Sequence, residues 1–161
     1  MTMTPDRISE FKAMALGGSV ASFDVFDTFV LRRCDAPDGV FERAFRIGPL
    51  AERHPDAVES FVQHRMQPEA TARRARKVID GSTEVGLADI YAGFPFRLFD
   101  LARARMPDLI AADLAAEHDL CIVNPEMRLL FEEARASGLR AGFVSDTYLS
   151  GRELGTLLAA C

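Results

Sequence analysis

Two short apolar runs that end in acidic residues constrain the fold of this chain more than any other feature. Residues 22–28 have the sequence SFDVFDT, and residues 143–147 have the sequence FVSDT. A short run of aromatic and β-branched residues that stops at an acid is typical of a buried strand with a carboxylate at its carboxyl end. Ligands of open α/β sheets bind at that end. The runs therefore predict adjacent parallel strands over residues 20–23 and 139–144, with an anion site at their ends.

The segment between the two runs is predicted to be helical. Apolar residues recur at helical spacing from residue 31 to residue 120, without the alternation of a half-buried strand. Further helices are predicted over residues 5–16, 56–79, 95–105 and 107–119, and the second of these is expected to break or bend at Pro68. A helix that begins at Pro125 leads into the second strand, which is the building block of a doubly wound sheet. A last helix begins near Ser150.

Composition limits the class of protein and its partners. The chain has 161 residues, 48% of them hydrophobic and 27% charged, as is typical of a globular domain. A net charge of -5 gives no reason to expect nucleic acid or an anionic membrane as a partner. No apolar run approaches the ~20 residues that cross a bilayer. The three widely spaced cysteines and the lack of a signal-peptide pattern predict a cytoplasmic protein with reduced thiols.

The two motifs resemble those of a known family. Residues 23–28, FDVFDT, are similar to motif I of the haloacid dehalogenase (HAD) superfamily, and residues 143–145, FVS, are similar to its motif II. The surrounding NPEM (124–127) and SDTYL (145–149) resemble a bacterial branch of that superfamily. The resemblance implies an α/β fold with an incomplete HAD-like Rossmannoid core, of which two parallel strands are visible. Residues 1–30 and 121–161 would form this core, and residues 31–120 a helical cap inserted after the first strand.

The resemblance also implies a chemistry. It is the hydrolysis of a small phosphorylated substrate with Mg²⁺, in which Asp24 is both nucleophile and metal ligand and the backbone carbonyl of Phe26 is a second ligand. A carboxylate nucleophile splits hydrolysis into two easier steps through an aspartyl-phosphate. Ser145 would hold a phosphoryl oxygen, and Asp146 would lie in the same phosphate site or shape its loop. The alternative for Asp24 is an acid that caps the strand-to-loop turn, and Ser145 without motif I would be interpreted as a helix N-cap or a turn serine.

The acidic residue after Asp24 departs from the family pattern. Phosphatases of the family have a proton-donating aspartate two positions after the nucleophile, where this chain has Phe26. The next acid is Asp27, one position later, and successive side chains point in different directions. Asp27 is therefore interpreted either as a catalytic general acid or as a turn or metal-shell residue. The dehalogenase branch also lacks an acid there, although it has tyrosine at that position.

Family features that follow motif II are missing. The family has a lysine and an acidic pair there, whereas Lys12 and Lys77 both precede the second strand and Glu153 is the only acid after Asp146. We therefore expect an N-terminal part of a larger hydrolase, or a shortened gene product, that hydrolyses phosphate esters poorly on its own. The open side of the first strand is expected to permit self-association.

Two other functions are compatible with the same sequence. One is a non-catalytic remnant that binds a partner or a phosphorylated ligand without turning it over. The other is the receiver domain of a signalling pair, although a long helical insert directly after the first strand argues against it. A basic cluster in the insert is interpreted as a solvated helix face or as a cap that places a guanidinium over an anionic substrate. Its members are Arg73, Arg74, Arg76 and Lys77.

Overall fold

The described part of the chain is a mixed α/β structure. The computed structural model describes residues 9, 10, 13 and 18–161. Its strands are β1 (Val20–Asp24), β2 (Val30–Arg32), β3 (Cys121–Val123) and β4 (Arg140–Val144). Its α-helices are α1 (Gly39–Ile47), α2 (Val58–Asp80), α3 (Leu87–Ala92), α4 (Met106–Leu120), α5 (Pro125–Ala136) and α6 (Gly151–Ala160). The helix predicted over residues 5–16 lies outside the described residues, apart from three isolated positions.

The chain divides into two compact units, each built from two segments. The strand unit contains the described residues up to Arg33 together with Cys121–Ser145. The helical unit contains Cys34–Leu120 together with Asp146–Cys161. The sequence placed residues 146–161 with the strands, whereas in the structure they group with the helices. The end of the first segment also differs, by three residues.

The parallel strand pair predicted from the two motifs is confirmed. β1 and β4 pair in parallel, in a register that aligns Val20 with Arg140 and Asp24 with Val144. The helix that feeds β4 begins as the sequence predicts, because Asn124 is its N-cap and Pro125 is its first residue. Both strands therefore end at the same edge of this small sheet.

Four phenylalanines form the aromatic core of the strand unit. Phe23 on β1 lies directly across from Phe143 on β4, Phe131 comes from α5, and Phe29 comes from the loop after β1. Their ring centroids are separated by 4.7 to 6.4 Å, mostly in edge-to-face geometry. Such pairs contribute about 0.5–1.5 kcal/mol beyond their buried area. Because Phe29 is part of this cluster, the loop that follows β1 is anchored at both of its ends.

A second, antiparallel strand pair was not predicted. β2 pairs with β3 in a register that aligns Val30 with Val123 and Arg32 with Cys121. The prediction that residues 31–120 are wholly helical is therefore wrong at its first residues, because Leu31 and Arg32 belong to β2. A three-residue strand is too short to show alternation, and its partner lies far away in the sequence. The ribbon nevertheless brings the two ends of the helical insertion side by side.

The helical unit packs around aromatic side chains. α1 packs against α4 and α2, and α3 packs against α2. The ring of Phe61 on α2 is buried, with its centroid 5.5 Å from that of Phe45 and 5.7 Å from that of Phe94. α6 packs against α4, and its Leu157 is buried. None of the helices in the described part of the chain combines the length and apolar character that crossing a membrane requires.

One helix differs from its prediction, and another is unbroken at the proline where a break or bend was predicted. α2 continues through Pro68 without a break, and a Cβ built on Gly93 would lie 3.2 Å from the Cβ of this proline. Pro68 therefore lies close to Gly93, which follows the end of α3. The helix predicted over residues 95–105 is instead two 3₁₀ helices, Phe96–Phe99 and Arg103–Arg105. Asp100 separates them because its φ of 46° is left-handed and cannot continue a helix.

Candidate functional site

Asp24 lies at the carboxyl end of β1, with an exposed side chain. Thr28 Oγ1 donates a hydrogen bond to Asp24 Oδ2 over 2.8 Å. A hydroxyl bound to a carboxylate forms a short, charge-assisted bond that fixes the orientation of the group. The loop after β1 therefore folds back, and its Thr28 holds the carboxylate of Asp24.

The loop after Asp24 is a tight turn with Asp27 exposed on it. Val25 is fully buried, and its carbonyl accepts the Val30 N–H over 2.8 Å, which closes the turn. Asp27 has a φ of 57°, in the left-handed region that aspartate and asparagine tolerate better than most residues. Asp27 thus has a conformational reason to occupy this position, and both of its sequence interpretations remain open.

Phe26 occupies the position where family phosphatases have their proton donor. Its ring is half-buried, and the Arg32 guanidinium carbon lies 4.1 Å from the ring centroid. A cation over an aromatic face contributes about 0.5–1 kcal/mol at a partly exposed site. The side chain of Phe26 is therefore a packing element of the loop.

Asn124 connects the same loop to the start of α5. Its Oδ1 accepts the Glu126 N–H over 3.1 Å, as an N-cap does. Its Nδ2 donates to the carbonyl of Thr28 over 3.0 Å, and its backbone N–H donates to the carbonyl of Phe29 over 2.8 Å. Sequence reasoning assigned Asn124 no role. The signal that identifies it as an N-cap is an asparagine directly before a proline at the start of an apolar helical pattern.

The register of the parallel pair brings Asp24 and Ser145 to one edge. Asp24 is aligned with Val144, and Ser145 is the next residue of the chain. Ser145 is half-buried and is the last residue of the strand unit. Asp146, which the sequence placed in the same phosphate site, is grouped with the helical unit.

Asp146 is paired with an arginine of the basic cluster. Arg73 Nη1 lies 3.1 Å from Asp146 Oδ1, and it also donates to the carbonyl of Thr83 over 3.0 Å. Arg73 Nε lies 3.2 Å from Glu69 Oε1. Burial alone would lower the pKa of Arg73, but the bonds and charges of these two carboxylates raise it. Arg73 is therefore engaged within the helical unit, whereas Arg74, Arg76 and Lys77 are exposed, as on a solvated helix face.

The helical unit contains a buried polar network that sequence reasoning missed. Arg65 on α2 has a fully buried side chain, and its Nε lies 2.6 Å from Asp113 Oδ2 on α4. Tyr91 on α3 donates its hydroxyl to Asp113 Oδ1 over 2.9 Å. Tyr148 donates its hydroxyl to Glu117 Oε1 over 2.8 Å. An arginine in a charged helix carries no sequence signal of burial, because only tertiary packing decides it.

Burial and charge together define the electrostatics of this network. Burial raises the pKa of the Asp113 carboxyl, although the charge of Arg65 opposes the shift. Burial also raises the pKa of Tyr91 and of Tyr148, and the carboxylates that accept their hydroxyls add to the effect. Arg65 Nη2 is buried without a hydrogen-bond partner. The guanidinium carbon of Arg65 instead lies 4.5 to 5.4 Å from three aromatic ring centroids, those of Phe41, Tyr148 and Tyr91.

The donor atoms near Asp24 suit a hard cation. Among the residues that the structure describes, no group of three or more His, Cys, Asp or Glu side chains is arranged to hold a metal ion. Mg²⁺ is usually held by one or two carboxylates, while waters and substrate phosphates complete its octahedron. The exposed carboxylate of Asp24 and the carbonyl of Phe26 are oxygen donors of this kind. By donor type alone, these two oxygens are compatible with Mg²⁺.

Comparison with known proteins assigns no family to the chain. No family model matches it, and no curated protein matches it significantly. The HAD assignment therefore stays a prediction from the resemblance of residues 23–28 and 143–145.

Proposed function

We propose that this chain is a HAD-like hydrolase that cleaves small phosphate esters with Mg²⁺, through an aspartyl-phosphate on Asp24. The observation that carries the proposal is the register that aligns Asp24 with Val144. In this register Asp24, the proposed nucleophile, ends β1 beside the strand that Ser145, the proposed phosphate ligand, directly follows. Carboxyl ends of adjacent parallel strands are the usual place for ligands in α/β sheets.

The proposed reaction has two displacements at phosphorus. A carboxylate oxygen of Asp24 attacks the phosphorus of the ester, the bond from phosphorus to the ester oxygen breaks, and the alcohol leaves after taking up a proton. Water then attacks the phosphorus of the aspartyl-phosphate and breaks its bond to the Asp24 oxygen, which releases inorganic phosphate. The hydrogen bond from Thr28 to Oδ2 holds the carboxylate in one orientation for the first step. Ser145 donates its hydroxyl to a phosphoryl oxygen.

Two groups supply charge and protons in this proposal. Mg²⁺, bound by Asp24 and the Phe26 carbonyl, would offset the negative charge of the transferring phosphoryl group. The proton for the alcohol comes from Asp27 or from water, since the Phe26 ring has none to give. The left-handed φ of Asp27 supports a turn role as well. Leaving groups that need no proton are therefore the best first substrates.

The test is a Mg²⁺-supplemented assay with p-nitrophenyl phosphate on the whole chain. No lysine follows Ser145 in the sequence, and each missing electrostatic group costs about 3–4 kcal/mol of transition-state stabilisation. We therefore expect turnover far below ~1 s⁻¹ that disappears in Asp24→Asn. Acid quenching followed by mass spectrometry of the peptide that contains Asp24 should detect one added phosphoryl group.

Matched variants separate the proposal from its alternative. Asp27→Asn changes an acid to its amide in the same loop, and it should keep turnover of this activated ester. A chain that binds inorganic phosphate through Ser145, but shows no turnover dependent on Asp24, would be the non-catalytic binding domain. Failure to bind phosphate, together with turnover that Asp24→Asn leaves intact, would contradict both functions.

A further inference from the structure

We infer that Asn124 is a positioning residue for the Asp24 carboxylate and that it acts through Thr28. The effect of Asn124 on catalysis rests on the function proposed above, whereas its effect on the loop can be measured without any activity. The inference comes from a continuous chain of hydrogen bonds within the strand unit, which begins at the N-terminus of α5 and ends on Asp24.

The first link fixes the backbone of the loop. Asn124 makes three bonds that matter here: Oδ1 accepts the Glu126 N–H, Nδ2 donates to the Thr28 carbonyl and the backbone N–H donates to the Phe29 carbonyl. Two successive carbonyls of the loop are thus held by one residue. Pro125 at the first position of α5 restricts the backbone of Asn124 to extended conformations, so this residue is itself held in place.

The second link connects the fixed backbone of Thr28 to the carboxylate of Asp24. Thr28 is β-branched, so its side chain has few rotamers once its backbone is set. Its hydroxyl then lies 2.8 Å from Asp24 Oδ2. Because this bond engages Oδ2, Oδ1 would be the attacking oxygen in the proposed reaction. Residues that orient a catalytic group in this indirect way are typically worth about 10–100-fold in activity.

The decisive variant is Asn124→Ser. Serine keeps an oxygen that can cap α5 but removes the amide that donates to the Thr28 carbonyl. The matched control is Ser150→Ala, which removes the N-cap bond from Ser150 Oγ to the Glu153 N–H at the start of α6. Both variants alter a helix N-terminus, and only Asn124→Ser touches the loop after β1.

The first measurement is amide hydrogen exchange at Val30, whose N–H closes the loop on the Val25 carbonyl. We expect about fivefold faster exchange at Val30 in Asn124→Ser, since one hydrogen bond is worth roughly 1 kcal/mol. Exchange at this amide should not change in Ser150→Ala. Unchanged exchange in Asn124→Ser overturns the inference, whatever the activity of the chain.

The second measurement is kinetic, with p-nitrophenyl phosphate. Asn124→Ser and Thr28→Val should each lower kcat by about 10–100-fold while KM changes little. The double variant should be no slower than Thr28→Val alone, because Asn124 acts through Thr28. Additive losses, or an unchanged kcat where Asp24→Asn abolishes turnover, overturn the inference and leave the proposed function intact. If the wild type shows no turnover dependent on Asp24, the proposed function fails and exchange at Val30 alone decides the positioning role.

Discussion

We expect Arg65→Met to destabilise the helical unit by about 3–5 kcal/mol. The side chains of Arg65 and Asp113 are 0% and 2% exposed, and Arg65 Nε lies 2.6 Å from Asp113 Oδ2. Methionine fills much of the same volume but leaves the Asp113 carboxylate buried without its cation. Removing one partner of a buried ion pair costs this much because the other charge remains in a medium of low dielectric constant.

The aromatic rings around Arg65 add to the loss. Three ring centroids lie within 5.4 Å of its guanidinium carbon, and a desolvated cation–π contact is worth up to about 2 kcal/mol. The cation–π contacts and the ion pair involve the same guanidinium, so their energies do not simply add. The total destabilisation should therefore lie in the upper half of the range of about 3–5 kcal/mol. Typical domains have about 5–15 kcal/mol of stability, so the variant should unfold at a much lower urea concentration.

Near-ultraviolet circular dichroism measures this change locally. The chain has two tyrosines and no tryptophan, and both tyrosine rings lie beside the Arg65 guanidinium. The tyrosine signal during urea unfolding therefore reports on this network. The control is Arg53→Met, which removes an exposed ion pair with Asp100 whose side chains are 52% and 82% exposed. It should cost less than about 1 kcal/mol.

A double variant tests the cause of the loss. Arg65→Met/Asp113→Asn removes the stranded charge, while the asparagine oxygen can still accept the hydroxyl of Tyr91. It should recover at least about half of the lost stability, since a buried ion pair replaced as a whole is often nearly neutral. The reasoning is refuted if the single variant stays within about 1 kcal/mol of the wild type, or if the double variant is no more stable than the single one.

Three further predictions concern pH, the loop and association. Because burial raises the folded-state pKa of Tyr91 and Tyr148, stability is full below the unfolded pKa of about 10 and falls above it. Tyrosinate absorbance and unfolding should therefore rise together in an alkaline titration, and ionisation before unfolding would contradict this. Asp27→Ala should cost about 1 kcal/mol in urea unfolding, whereas Asp27→Asn, which tolerates positive φ, should cost little. Val20 and Val144 are 62% and 68% exposed at the ends of the paired strands, so sedimentation should detect self-association that Val144→Lys weakens.

The sequence predicted the elements whose pattern is local. β1 and β4 could be predicted because each is an apolar run that stops at a polar motif, and their pairing followed from the helix that feeds β4. The edge shared by Asp24 and Ser145 followed from that pairing. Such strands can be predicted because the same few consecutive residues determine both the buried strand and the position of its polar end.

Features that depend on distant partners could not be predicted. Arg65 is buried among Asp113, Tyr91, Tyr148 and Phe41, which are distant in the sequence, although Glu69 four residues away also pairs with it. The same holds for β2, whose three residues become a strand through pairing with β3. The bond from Asn124 to Thr28 spans 96 positions of the chain. Such contacts depend on the topology of the chain, which the spacing of apolar residues within a short segment does not predict.

The β2–β3 ribbon makes the helical insertion modular. Because Arg32 and Cys121 are paired, the chain leaves and re-enters the strand unit at adjacent points, separated by about the width of one strand spacing, ~5 Å. Changes in the helices between these points can leave the pairing of the ribbon in place, but the packing of α6 on α4 and the pair of Arg73 with Asp146 depend on these helices. A two-residue Asn-Gly turn would join the same two positions as a β-hairpin. An insertion whose two ends are paired by β2 and β3 can change in sequence while β2 and β3 keep their register.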